Sequence, residues 1–118
     1  MREYKFRAWD SLAEKMYSWT ELLNKNLKNI FTIPEQCGYD LMQYTGLKDK
    51  NGKEIYEGDI IKCSFYPDFI FEIKFTELCW YMRKIPTSEH IKLSDVLYED
   101  LEVIGNIYDN KNLLEEGE

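Results

Sequence analysis

The chain has 118 residues, of which 44% are hydrophobic and 31% are charged, and this balance indicates one soluble globular domain with its own core. The net charge of −7 comes entirely from residues 94–118, which hold eight acids and one base. Phosphate would be repelled by that end, so direct nucleic-acid binding there is disfavoured. No apolar run of about 18 residues and no signal-peptide core is visible, so we expect a cytoplasmic protein that does not contact membranes.

The N-terminal part of the chain predicts two strands and a short helix. The strands are expected over Tyr4–Asp10 and Lys15–Thr20, joined by a polar turn. Thr20 is placed to cap a short helix over Glu21–Lys28, whose leucines fall on one face. A short apolar run, Ile30–Ile33, follows and ends at a proline.

The centre of the chain predicts a β-hairpin. A strand over Asp40–Thr45 enters it, and the pair Asn51-Gly52 is the strongest short-range signal of a tight turn. Both residues adopt positive φ at little cost, so the sequence predicts a type I′ turn. A second tight turn at Glu57–Asp59 precedes a new strand that starts at Ile60.

The strands after the hairpin are indicated by a period of two. Ile60–Tyr66 and Phe69–Thr76 form the clearest pair, because the apolar side chains at alternate positions of the second segment share one face. Those side chains are Phe69, Phe71, Ile73 and Phe75. Leu78–Arg83 is the next predicted strand, and Pro86–His90 is predicted to be a loop.

The C-terminal part predicts one more strand between two short helical segments. Ser94 is placed to cap a turn of helix over Asp95–Leu97. A strand is expected over Leu101–Ile104, and Gly105 then breaks the alternation, which indicates a bulge or bend. A final short helix is expected after Asn110.

Four pieces of the sequence resemble the YopX-like proteins of phages and prophages. The central segment YTGLKDKNGKEIYEGDI, residues 44–60, is the longest and most specific of them. The opening FRAWD at residues 6–10, the pair Met16-Tyr17 and the closing EVIGNIY at residues 102–108 agree with it. The resemblance covers nearly the whole chain.

The resemblance implies a mainly β fold, namely a small SH3-like barrel with an N-terminal β-extension and short helical segments. It implies a single domain, with the extension over residues 1–43, the barrel-like part over 44–110, and a short helix and tail over 111–118. It implies no biochemical activity.

No metal-binding or catalytic signature stands out. The three cysteines, Cys37, Cys63 and Cys79, lack metal-binding spacing and are predicted to be unpaired, small buried residues. His90, the single histidine, is expected on the surface, and the acids that follow the hairpin, Asp59 among them, are expected to be solvated. We therefore expect no cofactor, no metal and no enzymatic activity.

Aromatic and basic residues supply the candidate binding surface. Arg7 and Trp9 share one face of the first strand, where they form either a stacked binding platform or an Arg–acid pair beside a core indole. Trp80 carries the same two alternatives, binding or core. The full set of candidate binding residues is Arg7, Trp9, Asp10, Tyr44, Lys48, Lys50 and Trp80.

The leading functional hypothesis is a non-enzymatic accessory protein of a phage or prophage that binds an unknown host or phage protein. One alternative is a host-takeover factor whose C-terminal acids occupy a basic site on a host protein. These acids are Asp95, Glu99, Asp100 and Glu102. A second alternative is a nucleic-acid binder that uses the hairpin lysines Lys48, Lys50 and Lys53, although the net charge does not favour it. Self-association stays open.

Overall fold

The computed structural model of the protein describes residues 4–25, 38–76, 78–96 and 98–116, with only the main chain described for Tyr98, Glu115 and Glu116. The chain divides into two compact units, Met1–Tyr44 and Thr45–Glu118. The predicted run Ile30–Ile33, the end of the predicted first helix and Cys37 lie outside the described residues. That the whole chain forms one domain stays a prediction.

In the described part of the first unit, three strand segments pair antiparallel. Strand β1 (Phe6–Asp10) pairs with β2 (Lys15–Tyr17) on one side and with the first half of β3 (Tyr39–Lys48) on the other. The small core of this unit is built around the fully buried Ala8 and Leu22. Partly buried side chains pack against them: Phe6, Tyr17, Trp19, Tyr39 and Leu41. The predicted first strand and the shared face of Phe6 and Ala8 are confirmed. The second strand is confirmed only over Lys15–Tyr17, because Trp19 and Thr20 lie in the helix that follows.

The first helix, α1 (Trp19–Leu22), is capped by Ser18 rather than by Thr20. The Ser18 hydroxyl accepts a hydrogen bond from Glu21 N at 3.2 Å, and the Glu21 carboxylate accepts one from Ser18 N at 3.0 Å. This reciprocal pair satisfies two N–H groups at the start of the helix. The prediction of a Thr20 cap was wrong because it overlooked the serine and glutamate three positions apart.

The hairpin between β3 and β4 (Glu54–Tyr56) is confirmed, but its turn is not type I′. Gly52 has a φ of +83°, whereas Asn51 does not adopt positive φ. Gly52 N donates to Asp49 O at 3.0 Å, and Asp49 N donates to Lys53 O at 2.8 Å. These bonds close a three-residue loop in which one left-handed glycine follows the turn.

The second unit is built on a five-stranded antiparallel sheet with the order β8-β7-β6-β5-β9. Its strands are β5 (Asp59–Cys63), β6 (Ile70–Thr76), β7 (Cys79–Lys84), β8 (His90–Lys92) and β9 (Leu101–Asn106). Its curl gives a half-barrel, which confirms the mainly β, barrel-like fold with short helices. The prediction that His90 belongs to a loop was wrong, because this residue begins β8 and pairs with β7.

Apolar side chains are buried on both faces of this sheet. One core includes Phe71 and Ile73, as the alternation predicts. It also contains Ile55, Ile61, Cys63, Met82, Leu93 and Leu101. On the other face, Leu113 and Leu114 of helix α2 (Lys111–Glu116) pack against a cluster of buried isoleucines. These isoleucines are Ile60, Ile70 and Ile85.

The connection between β8 and β9 contains two single-turn 3-10 helices, Leu93–Asp95 and Tyr98–Asp100. The predicted Ser94 cap was wrong, because Ser94 lies inside the first turn and Lys92 occupies the cap position without a side-chain bond. In β9 the register shifts between the pairs Ile61–Val103 and Ile60–Gly105. This shift confirms the predicted bulge.

Candidate functional site

The candidate residues on β1 are mostly buried or hydrogen-bonded within the first unit. The Trp9 side chain is only 8% exposed, and Arg7 is half-buried. Asp10 Oδ1 accepts hydrogen bonds from Leu12 N at 3.0 Å and from Ala13 N at 3.1 Å. Asp10 therefore fixes the turn between β1 and β2, and little of the Trp9 indole is accessible. A binding role for these residues stays a prediction.

The candidate residues around the hairpin have different surroundings. Tyr44 is buried at 5% exposure, and Lys5 Nζ lies 5.4 Å from the centre of its ring. Lys48 and Lys50 are exposed, and Lys50 Nζ is 3.5 Å from Glu102 Oε1. An acid thus offsets part of the positive charge that the nucleic-acid alternative requires.

The acids of the host-takeover alternative are only partly available. Asp95 and Glu99 are exposed. Asp100 Oδ1 accepts a hydrogen bond from Ser64 Oγ at 2.8 Å, and Glu102 is the partner of Lys50. Half of this set therefore already makes contacts within the second unit.

Asp49 joins the hairpin to β9. Its side chain is 3% exposed, and Oδ1 accepts hydrogen bonds from Asn51 N and Lys53 N, both at 2.9 Å. Oδ2 accepts one from Val103 N, also at 2.9 Å. Burial raises the pKa of this carboxyl, but the hydrogen bonds from Val103, Lys53 and Asn51 outweigh it and leave the pKa below its ordinary value.

Asp59 is a second buried carboxylate in this region. It is 1% exposed and accepts a hydrogen bond from Tyr56 N at 2.8 Å. The expectation of a solvated acid was therefore wrong. Gly58 has a φ of +88°, so the chain makes a tight turn between Tyr56 and Asp59. The Asp59 carboxylate is the acceptor for the main-chain N–H at the start of that turn.

Residues Ser64–Phe69, between β5 and β6, form an exposed aromatic turn. Phe65 is 66% exposed, Tyr66 39% and Phe69 37%. The main chain of this aromatic turn is fixed, because Tyr66 N donates to Cys63 O at 3.0 Å and Phe69 N to Tyr66 O at 3.2 Å. Three large rings are thus presented to solvent on an ordered loop. Sequence reasoning missed them; the available signal was an aromatic run at a turn.

An aromatic groove of about 300 Å³ lies beside this turn. Its lining consists of Tyr66, Phe69, Phe71, Lys84, Glu89, His90 and Ile91. Lys84 Nζ lies 4.0 Å from the centre of the Phe69 ring and 3.0 Å from Glu89 Oε1. The walls are therefore apolar, and the rim carries charges of both signs.

A second groove of about 410 Å³, the Trp80 groove, lies at the other end of β8. It is lined by Thr45, Leu47, Cys79, Trp80, Lys92, Leu93 and Ser94. Trp80 is half-buried, and its ring centre lies 4.6 Å from that of Phe75. Trp80 thus contributes to the core while lining an open groove. Cys79 is half-buried here, whereas Cys63 is buried as predicted.

His90 lies on the surface, as predicted. Its Nδ1 is 3.3 Å from Ser88 O, and its ring meets the Tyr81 ring edge-to-face at 4.8 Å. The neighbouring Arg83 is bound to Glu72 Oε1 at 2.8 Å and to Thr87 O at 2.6 Å. Within the described ranges, no group of three or more potential metal ligands occurs, and no helix has the length and apolarity needed to cross a bilayer.

These features define a small, mainly β protein whose second unit carries ordered surface aromatics and two grooves beside a sheet edge. The YopX protein family matches residues 5–115, and the chain belongs to this family. It is similar to protein EF1440 of Enterococcus faecalis, with 29% identity, a TM-score of 0.68, and coverage of 98% of this chain and all of the other. The fold also matches YopX of Bacillus subtilis, with 23% identity, a TM-score of 0.59 and 98% coverage of both chains. No functionally curated protein matches the sequence.

Proposed function

We propose that the protein is a non-enzymatic accessory protein of a phage or prophage that acts in the bacterial cytoplasm by binding another protein through its second unit. The aromatic turn is the observation that carries this proposal. Large apolar side chains grouped on a surface are typical of protein-interaction sites, and aromatic residues dominate the binding energy of such sites. Two main-chain hydrogen bonds hold the turn in its conformation, which reduces the backbone entropy lost when it binds a partner.

The chemistry of the aromatic groove favours a protein partner over nucleic acid. Its rim pairs Lys84 with Glu89 at 3.0 Å, so it offers no excess of positive charge. A phosphate backbone needs several unpaired lysines or arginines, and the chain as a whole carries a charge of −7. A partner with apolar side chains and mixed polar flanks fits better.

The test is affinity capture from lysates of Bacillus subtilis and Enterococcus faecalis, read by quantitative mass spectrometry with and without nuclease. The baits are the unaltered protein, Phe65→Ser, and the control Leu12→Ser. Both substitutions remove a largely exposed apolar side chain, since Phe65 is 66% and Leu12 88% exposed, so both variants are expected to fold. Phe65→Ser is expected to lower recovery of one protein partner at least tenfold, and Leu12→Ser to leave it unchanged.

Other results of the same capture would contradict the proposal. Loss of all capture after nuclease would assign binding to nucleic acid. All three baits could also recover the partner equally. If a further bait with Asp95→Asn and Glu99→Gln combined then failed to recover it, binding would be assigned to the acidic segment. The acids in that variant are both exposed, so their neutralisation is expected to leave the fold unchanged.

A further inference from the structure

We propose that the open edge of β8 receives an extended segment of the partner as an added strand, and that this segment alternates apolar with acidic residues. This inference rests on the proposed function and specifies the chemistry of the partner. A strand can join an exposed sheet edge through main-chain hydrogen bonds, while pockets that accept alternate side chains provide specificity.

The two edges of the five-stranded sheet differ. At β9, Lys50 N donates to Leu101 O at 2.9 Å, and Val103 N donates to the Asp49 carboxylate, so the hairpin covers that edge. At the opposite edge, no strand among the described residues pairs with the far side of β8. Of these two edges, β8 is therefore the one that offers main-chain groups for an added strand within the part of the chain that the structure describes.

The register shows which groups of β8 point outward. Lys84 N donates to Glu89 O at 2.7 Å, and hydrogen-bonded pairs alternate along an antiparallel ladder. Ile91, opposite Met82, therefore directs its main-chain groups toward β7. The N–H and C=O groups of His90 and Lys92 consequently face away from the sheet.

The grooves explain why the added segment carries alternate apolar residues. Ile91 lines the aromatic groove, and Leu93, two positions later, lines the Trp80 groove. Leu93 begins the 3-10 helix after β8, but the residue between it and Ile91, Lys92, has an extended backbone. Ile91 and Leu93 are therefore separated by about 6.6 Å, the span of two residues in a strand, and side chains two positions apart in an added strand have the same separation. One apolar side chain then enters each groove.

The charges on the opposite face of β8 select acidic residues for the intervening positions. His90 and Lys92 are exposed there. Lys92 lies across from Tyr81, which in turn lies across from Lys74, so this row carries two lysines. A glutamate or aspartate opposite Lys92 completes the row with a favourable cross-strand pair.

The same charges disfavour a second copy of this chain as the occupant. Antiparallel self-pairing centred on Ile91 would place Lys92 of one copy opposite His90 of the other. That arrangement gives Lys92 no acidic cross-strand partner in either copy. The segment from a different protein is therefore the better fit.

The test measures binding of a fluorescently labelled peptide that alternates valine with glutamate. A matched peptide has the same composition but its glutamates are grouped together. N-methylation is introduced either at the glutamate amides or at the valine amides, because successive amides of a strand point in opposite directions. Saturable binding of the alternating peptide is expected, with an at least tenfold loss of affinity confined to one of the two methylated sets.

A charge reversal distinguishes pairing of an added strand with β8 from binding of apolar side chains in the grooves alone. Lys92→Glu is expected to weaken binding of the glutamate peptide at least tenfold and to favour a valine–lysine peptide instead. Lys62→Glu, at an exposed lysine of β5, is the matched control and is expected to change neither affinity. Three results would overturn the inference. The first is an equal loss of affinity with both methylated sets, the second is binding of the grouped peptide as tight as that of the alternating peptide, and the third is the absence of saturable binding. The capture experiment tests the proposed function separately, because its readout is the effect of Phe65→Ser and not the pairing of a peptide with β8.

Discussion

Replacing Asp49 with alanine is expected to lower the free energy of unfolding by about 3 kcal/mol, a large effect for a single polar side chain. The carboxylate accepts hydrogen bonds from three main-chain N–H groups, two in the hairpin and one in β9. Alanine would leave these donors without that acceptor in a region that is largely shielded from water. Each charge-assisted bond is worth about 1.5–3 kcal/mol, and the losses are not additive.

Urea unfolding followed by circular dichroism measures this effect. Asp95→Ala is the control, because Asp95 is an exposed acid in the same unit. Its free energy of unfolding is expected to stay within about 0.5 kcal/mol of that of the unaltered protein, as is usual for surface positions. One unsatisfied buried donor costs about 1 kcal/mol or more. If Asp49→Ala lowered the free energy of unfolding by less than that, the hairpin would be held to β9 by its main chain and apolar contacts instead.

The lowered pKa of Asp49 adds a pH dependence with a defined sign. A carboxyl with a lower pKa in the folded state stabilises the protein at pH values above its ordinary pKa of 3.8. This contribution is lost as the pH falls through the folded-state pKa. The stability difference between the unaltered protein and Asp49→Asn is therefore expected to be constant from pH 7 to 5 and to shrink below pH 4. A difference that grew on acidification would contradict this role.

Gly105→Ala is expected to destabilise the second unit by about 2 kcal/mol and to loosen helix α2. A Cβ at this position would overlap the side-chain amide of Asn110. That amide accepts a hydrogen bond from Asn106 N at 3.0 Å and holds the turn that leads into α2. Displacing it would also shift Leu113 and Leu114, which pack against the isoleucine cluster. Overpacking of this kind costs about 1–3 kcal/mol.

A double-mutant cycle identifies the clash as the cause. Asn110→Ala alone removes one hydrogen bond and is expected to cost about 1 kcal/mol. Combined with Gly105→Ala, it also removes the atoms that the new Cβ would meet. The double variant is therefore expected to be clearly more stable than the sum of the single losses predicts. Additive losses would mean that the contact with Asn110 is not the cause of the destabilisation.

The strands and the hairpin were predictable because their signals are local. A period of two identified β6, and the Asn51-Gly52 pair located the turn. The type of turn was not predictable in the same way. It is tied to the Asp49 carboxylate, whose third hydrogen bond comes from Val103, and the sequence alone does not reveal contacts over such separations.

The candidate site was harder to predict than the fold. Trp9 is the most conspicuous residue of the N-terminal motif, yet its side chain is largely buried. Phe65 and Tyr66 read as the end of a strand, but β5 stops at Cys63 and leaves them on a turn. The strand β8 has only three residues, too few for a period of two to be recognised in the sequence, so its existence depends on pairing with β7.

Hydrogen exchange of the protein, alone and in complex with the partner recovered by capture, tests the central claim most directly. The account predicts new protection in two places: the aromatic turn Ser64–Phe69, and the amides of His90 and Lys92. Ile91 faces β7 and is expected to be protected already in the free protein. Protection confined to the first unit, or to the acidic segment Asp95–Glu102, would contradict the account.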